Sequence, residues 1–329
     1  MRFIVALGAA VLSACGLAEE VLDLAGDWQL SGRDERDCEI GCPASVPGDV
    51  HSALLKAGLM ADSFWGCNET NNLWVAKHDW TFSRRFLVTE SFLRHSKIVL
   101  RLEDCDTFAT VFINGNVAGE TCDRFLRWDF DVKPFLRIGE NEIRCVFASA
   151  WRKGDEIAAS YGRTYQMACR DYTPIRNQSV VRKPACHKGW DWGLCQQVTG
   201  PCGTVRLLAS SARRVDYLYA DTVFADDLSR CDVTAFAVCD DGSVVTNRES
   251  LVNPPLWWPN GQGDRRFHVY AVDVDGVRYE KRIGLRKLEV VTEGGALCFK
   301  VNNRPVFMKG ANWIPCSAYE TEQTPARYR

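Results

Sequence analysis

The sequence predicts a mainly β protein, and three observations carry that expectation. Ile98, Leu100 and Leu102 alternate with Val99, Arg101 and Glu103, and Ala109, Val111 and Ile113 alternate with Phe108, Thr110 and Phe112, the period of a half-buried strand. Turn signals punctuate these runs: Asn114-Gly115 stands before Val117, and Gly139-Glu140-Asn141 precedes a strand-like stretch over 142–147. Within the body only 50–58 reads as helix, with Ala53, Leu54 and Ala57 on one face and Gly58 as terminator. With 329 residues there is room for two or three domains, and 46% apolar with 25% charged residues excludes disordered, collagen-like and coiled-coil chains.

Taken in order, the chain opens with an export signal over 1–18. Arg2 supplies the positive charge, 3–15 is uncharged and apolar or small, and Glu19-Glu20 ends it; the run is too short for a transmembrane helix. Two processing readings stand side by side. Leu12-Ser13-Ala14-Cys15 fits a lipobox, with Cys15 acylated, whereas Gly16-Leu17-Ala18 fits cleavage after Ala18. The first predicts a periplasmic or outer-membrane-anchored lipoprotein, with the lipid as its sole membrane link; the second predicts plain secretion.

Residues 22–208 carry many short strands and are long for an immunoglobulin unit, so they predict a jelly roll. A second β segment over 209–287, with strand-like 215–223, 232–238 and 267–274, predicts a short immunoglobulin-like sandwich. Over 288–329 the character changes. A turn at Asn302-Asn303, an apolar run ending in Gly310-Ala311-Asn312-Trp313, and a polar, helix-permissive tail read as one strand, a loop and the start of a helix. We expect the strand over 306–313 to require burial on both faces and, lacking partners, to promote association.

Charge and cysteine usage narrow the function. Lys+Arg number 40 and Asp+Glu 42, a net charge of −2, so no basic excess points to nucleic acid. An exported chain permits disulfides among its 15 Cys, but their spacing fixes no pairing. Cys186-His187, Cys195 and Cys202 match no common metal spacing, and no metal is expected. Neither a phosphate-binding Gly-rich loop nor a Ser/His/Asp arrangement stands out. Eleven Trp supply candidate platforms for sugars.

Several stretches bear a family resemblance: VPGDVHSALLKAGLMADSFWGCNE (46–69), DWTFSRRF (79–86), FINGNVAGE (112–120), DVKPFLRIGENEIR (131–144), HKGWDWG (187–193), PLWWPNGQG (255–263), RIGLR (282–286) and RPVFMKGANWIP (304–315). In this order they resemble the N-terminal portion of β-mannosidases of glycoside hydrolase family 2. The resemblance implies a jelly-roll galactose-binding-like domain, an immunoglobulin-like domain, and the first strand of an incomplete (β/α)8 barrel. It also implies hydrolysis of terminal β-D-mannose from mannose-containing oligosaccharides, with retention and without a cofactor. Two departures are visible. Leu194-Cys195 follows WDWG where the family has Pro, and the middle domain is short. A barrel takes about 250 residues, so the expectation is a chain truncated early in the barrel and inactive alone. A carbohydrate-binding lipoprotein without catalysis, and a β-galactosidase- or β-glucuronidase-like sister activity, are the rival readings.

The site residues follow from the same resemblance. In the family the WDWG loop reaches the sugar, so Asp191 is expected to accept hydrogen bonds from sugar hydroxyls, with Trp190 and Trp192 shaping the pocket. Asn312 and Trp313 are expected at the end of the first barrel strand, where barrel sites assemble. The pairs Asn68-Glu69 and Asn141-Glu142 match the Asn-Glu form of the family's acid/base but fall at ordinary first-domain positions of the family, so a surface loop and a solvent-facing strand are expected for them. No catalytic residue is expected within the sequence.

Overall fold

The computed structural model describes residues 19–162, 175–190 and 193–329. The chain divides into two compact units: Glu20–Ala209 together with Trp313–Arg329, and Ser210–Asn312. The expectations for Cys15 and the export signal lie outside the described residues.

The first unit is a β sandwich. Its larger sheet runs, edge to edge, Glu39–Val46, Gly26–Arg33, Trp80–Val88, Gly139–Phe147, Ala109–Ile113 and Asn116–Glu120. The smaller runs Glu20–Asp23, Val205–Ser210, Lys97–Leu102 and Trp128–Asp131. Alternation decides which side chains go in: along Gly139–Phe147 it is Asn141, Ile143, Cys145 and Phe147 that are buried. Ile143, Cys145 and Phe147 meet Trp80, Phe82, Leu100 and Leu102 in one core cluster fed by both sheets. Burying side chains of this size stabilises by about 1.5–3 kcal/mol each. Phe82 and Phe147 meet edge to face at 5.8 Å, a favoured aromatic geometry. Gly32 has a packing reason to be glycine, since a Cβ there would fall 2.3 Å from the Trp80 ring. The turn at Asn114-Gly115 forms with φ of 50° and 83°, the doubly positive pair that an Asn-Gly hairpin supplies.

The expected helix forms over Val50–Lys56, capped by Asp49, whose carboxylate accepts from Ser52 N at 2.9 Å. A second helix, Ala150–Ser160, was not foreseen. Ser149 Oγ accepts from Arg152 N at 3.2 Å and donates to the Ala76 carbonyl at 2.6 Å, which starts the helix and ties it to the body.

In the second unit, Val215–Phe224, Arg230–Cys239 and Val244–Val252 form a three-stranded antiparallel sheet, and His268–Val274 pairs with Val277–Ile283. Cys231, Val233, Ala235, Ala237 and Cys239 alternate inward, and the last three pack with Tyr270, Val272 and Val274. A further three-stranded sheet joins Leu288–Glu293, Ala296–Val301 and Arg304–Val306. The expectation of a strand over 306–313 is corrected here: pairing ends at Val306, and Phe307 is 83% exposed. Hydropathy marks what a strand would bury, not whether a neighbour is there to pair with it. The helix-permissive tail is corrected too, holding only the 3-10 turn Glu320–Glu322.

Residues 313–329 belong with the first unit, and Tyr319 is their anchor. It is 1% exposed, stacks on His51 at 5.9 Å, and donates from Oη to Ser63 Oγ at 2.9 Å. Ser52 and Thr321 hydroxyls meet at 3.2 Å. Burial pushes the Tyr319 phenol up to about 12 against the lowering effect of Ser63, so it remains a donor at neutral pH.

Candidate functional site

Beneath the HKGWDWG stretch lies a cluster of buried charges. Asp106 ends the short strand Cys105–Asp106, which pairs with Gly200–Pro201. Lys183 Nζ donates to Asp106 Oδ2 at 2.9 Å and to the Val198 carbonyl at 2.6 Å, and lies 3.2 Å from His187 Nδ1. Arg124 Nη1 donates to the same carboxylate oxygen at 3.2 Å, and Arg124 Nη2 pairs with Glu320 from the C-terminal segment. The imidazole of His187 sits between two carboxylates, with Nδ1 3.5 Å from Asp106 and Nε2 3.5 Å from Glu320. Lys183 and Asp106 side chains are both 0% exposed.

Such charges remain ionised only because each has partners. Burial alone would raise the Asp106 carboxyl; the charge of Lys183, the His187 hydrogen bond and Arg124 outweigh it and hold the group below the usual carboxylate range. Glu320 behaves alike: burial opposes ionisation, but His187 beside it and the Arg124 guanidinium bring it to about 2. His51 goes the other way, pushed down to about 3 by burial and then by Lys183 and His187, so it stays neutral. Burial raises the Asp49 carboxyl, partly offset by its hydrogen bonds with Ser52.

This cluster roots the loop that carries the predicted site. His187 belongs to the 3-10 turn Ala185–Lys188, which ends at Gly189 with φ 83°. Trp190 and Gly193 then exchange two backbone hydrogen bonds, at 3.0 and 3.1 Å. On the far side, Cys195 N donates to Glu69 Oε1 at 2.6 Å, and Gln196 Nε2 donates to the Glu69 carbonyl at 3.3 Å. Both ends of the loop are therefore held from within the first unit. A cavity of ≈ 570 Å³ adjoins it, lined among others by Phe64, Cys186, His187, Cys316 and Glu320. That volume suits a small ligand.

Trp190 is 41% exposed. Asp191 and Trp192 lie outside the described residues. Trp313 is 74% exposed and meets the Tyr328 ring at 5.4 Å in the first unit, whereas Asn312 is an exposed residue of the second. The two tryptophans of PLWWPNGQG, assigned from sequence to core packing, are half-buried, with Arg286 over Trp257 at 4.7 Å and Arg304 over Trp258 at 4.6 Å. Asn141, assigned to a solvent-facing strand, is 1% exposed and donates to the Arg137 and Gly139 carbonyls; Glu142 is exposed. Glu69, assigned to a surface loop, is a half-buried bracket of the candidate site. Sequence reasoning missed Asp106, Arg124, Lys183 and Glu320 altogether. Among the described residues no group of three or more His, Cys, Asp or Glu is placed to hold a metal.

The chain as a whole has relatives among known proteins. Curated relatives include a probable β-mannosidase of Caenorhabditis elegans, 26% identical over 92% of this chain and 39% of that protein. They also include β-mannosidase B of Thermothelomyces thermophilus, 29% identical over 94% of this chain and 40% of that one. The chain thus spans about two fifths of the length of these relatives. Among solved structures, a β-D-mannosidase from Dictyoglomus thermophilum matches with a TM-score of 0.79 and 30% identity, covering 94% of this chain and 42% of that one. An exo-chitosanase from Amycolatopsis orientalis, at 16% identity and TM-score 0.63 over 90% of this chain and 37% of that one, shares the fold. The family described as glycosyl hydrolase 2 galactose-binding domain-like matches residues 28–203, more than half of the sequence, and the chain belongs to it.

Proposed function

We propose that this chain forms the first two domains and part of the sugar-site rim of a retaining β-mannoside hydrolase acting on non-reducing terminal β-D-mannose in oligosaccharides. The reading is supported by likeness to β-mannosidases along nearly the whole chain. The observation that carries it is the rooted loop. Trp190 projects from a stretch pinned at one end by the His187 cluster and at the other by Glu69. A fixed, exposed indole offers a face to sugar C–H groups, and a neighbouring carboxylate accepts from vicinal hydroxyls. Asp191 takes that second role in this proposal, with Trp192, Asn312 and Trp313 as further contacts.

Retaining hydrolysis needs two carboxyl groups about 5–5.5 Å apart. The resemblance puts that pair on later barrel strands, so the 329 residues alone are expected to be inactive. We extend the proposal to export, with 1–18 as the signal and Cys15 as the lipidation site.

The test completes the chain with the remaining length of the D. thermophilum relative and compares the product with its Asp191→Ala variant. We expect kcat/KM on an aryl β-mannoside to fall about 10²-fold, because hydroxyl contacts strengthen in the oxocarbenium-like transition state. An unchanged kcat/KM removes Asp191 from the site.

A further inference from the structure

Among the described residues two cysteines line the candidate cavity and have no part in the reading above. Cys186 lies in the turn Ala185–Lys188 and Cys316 in the C-terminal segment; both are exposed, unbonded, and line the same ≈ 570 Å³ space. The segments that carry them already meet there through residues further along. His187, directly after Cys186, has Nε2 3.5 Å from Oε1 of Glu320, and Tyr319 is seated on His51 and Ser63. Among the described residues the other exposed cysteines, Cys38, Cys67 and Cys122, do not line this cavity, and Cys42, Cys105, Cys145, Cys195, Cys231 and Cys239 are buried.

We propose that Cys186 and Cys316 form a redox-responsive disulfide clip that ties the C-terminal segment to the root of the Trp190 loop across the cavity. The oxidant class is a low-molecular-weight disulfide such as oxidised glutathione. The Cys316 thiolate attacks one glutathione sulfur, forming a mixed disulfide and releasing one glutathione thiolate. The Cys186 thiolate then attacks the Cys316 sulfur and releases the second. Two protein thiols lose two electrons, the glutathione disulfide gains them, and the two protons end on the released glutathiones. The balance is the same with Cys186 as the first attacker. A disulfide needs about 2.0 Å between its sulfurs, so the clip requires the two cysteines that line this cavity to close across it. Because the bond joins segments distant in sequence, it restricts the unfolded chain strongly and raises the melting temperature.

The experiment oxidises the full chain with oxidised glutathione and maps its peptides under non-reducing conditions. The expected result is a Cys186–Cys316 linked peptide, two hydrogens lighter than its parts, with a higher Tm that dithiothreitol reverses. Cys186→Ser and Cys316→Ser each remove the link and the Tm gain; Cys122→Ser keeps both. Absence of the linked peptide from oxidised wild-type protein, or stable glutathione adducts on both cysteines in its place, overturns the proposal, and wild-type mapping decides it even if a variant fails to fold.

Discussion

Replacing Lys183 by Met deletes one charge from the floor of the candidate site while keeping most of the side-chain volume. The ammonium is wholly buried and donates to Asp106 at 2.9 Å and to the Val198 carbonyl at 2.6 Å, with His187 Nδ1 3.2 Å away. Its loss leaves Asp106 with Arg124 as its nearest cation, at 3.2 Å, and strips Val198 of a donor. Removing one partner of a buried pair costs about 3–5 kcal/mol, most of it from the charge left behind. Lys183→Met should therefore lower the urea midpoint of the first unit by an amount equivalent to about 3–5 kcal/mol at pH 7. Adding Asp106→Asn should cost far less than the sum of the singles, because the stranded charge goes with it. Urea titration followed by near-ultraviolet circular dichroism and by fluorescence measures both, and coincident curves license the conversion to free energy. A single-variant loss below about 1 kcal/mol, or additive behaviour in the double, would show that the cluster is not the coupled network described.

Three further expectations rest on separate observations. Stability should fall with acid in two stages. His51, held neutral down to about 3, contributes stability that is complete above its unfolded value near 6.5 and lost as pH falls toward 3, and Glu320, held at about 2, adds a loss from about 4.5 downward. Thermal melts of His51→Gln should flatten the upper stage alone; a wild-type Tm constant from pH 6.5 to 4.5 refutes the His51 assignment. Gly115→Val, which forces a β-branched residue to φ 83°, should destabilise the first unit by about 1–2 kcal/mol in the same urea assay, and a neutral result would mean that the turn relaxes to another type. Expressed protein should partition into detergent and Cys15→Ala should release it; an intact mass with an unmodified Glu19 at the N-terminus would replace the lipoprotein reading with simple secretion.

What the sequence discloses is mostly local. The alternation at 98–102 and 109–113, the Asn114-Gly115 turn, and the capped helix after Asp49 depend on neighbours within a few positions, and each appears in the structure. Helix Ala150–Ser160 escaped because its buried face is built of Ala150, Gly154 and Ala158, small residues that leave a weak apolar stripe. They are small because the chain passes close: a Cβ on Gly154 would lie 3.0 Å from the Asn177 carbonyl oxygen. The charge cluster escaped for a different reason. Asp106, Arg124, Lys183 with His187, and Glu320 come from four separate stretches of the chain, and no periodicity records a meeting set by the sheet and by the docking of Tyr319. Glu69 was visible as part of an Asn-Glu pair, but sequence cannot show that its carboxylate turns toward Cys195 N. Trp190 is singled out by its motif, and the structure shows it 41% exposed at the loop root.

The central claim is that the rooted Trp190 loop belongs to a β-mannoside hydrolase. The most direct measurement takes the chain completed with the remaining length of the D. thermophilum relative and compares kcat/KM on aryl β-mannoside, β-galactoside and β-glucuronide. The account predicts turnover of the mannoside at least about 10²-fold above the other two, with the first product a β-configured sugar as retention requires. Preference for the galactoside or glucuronide would contradict the account, as would hydrolysis with inversion.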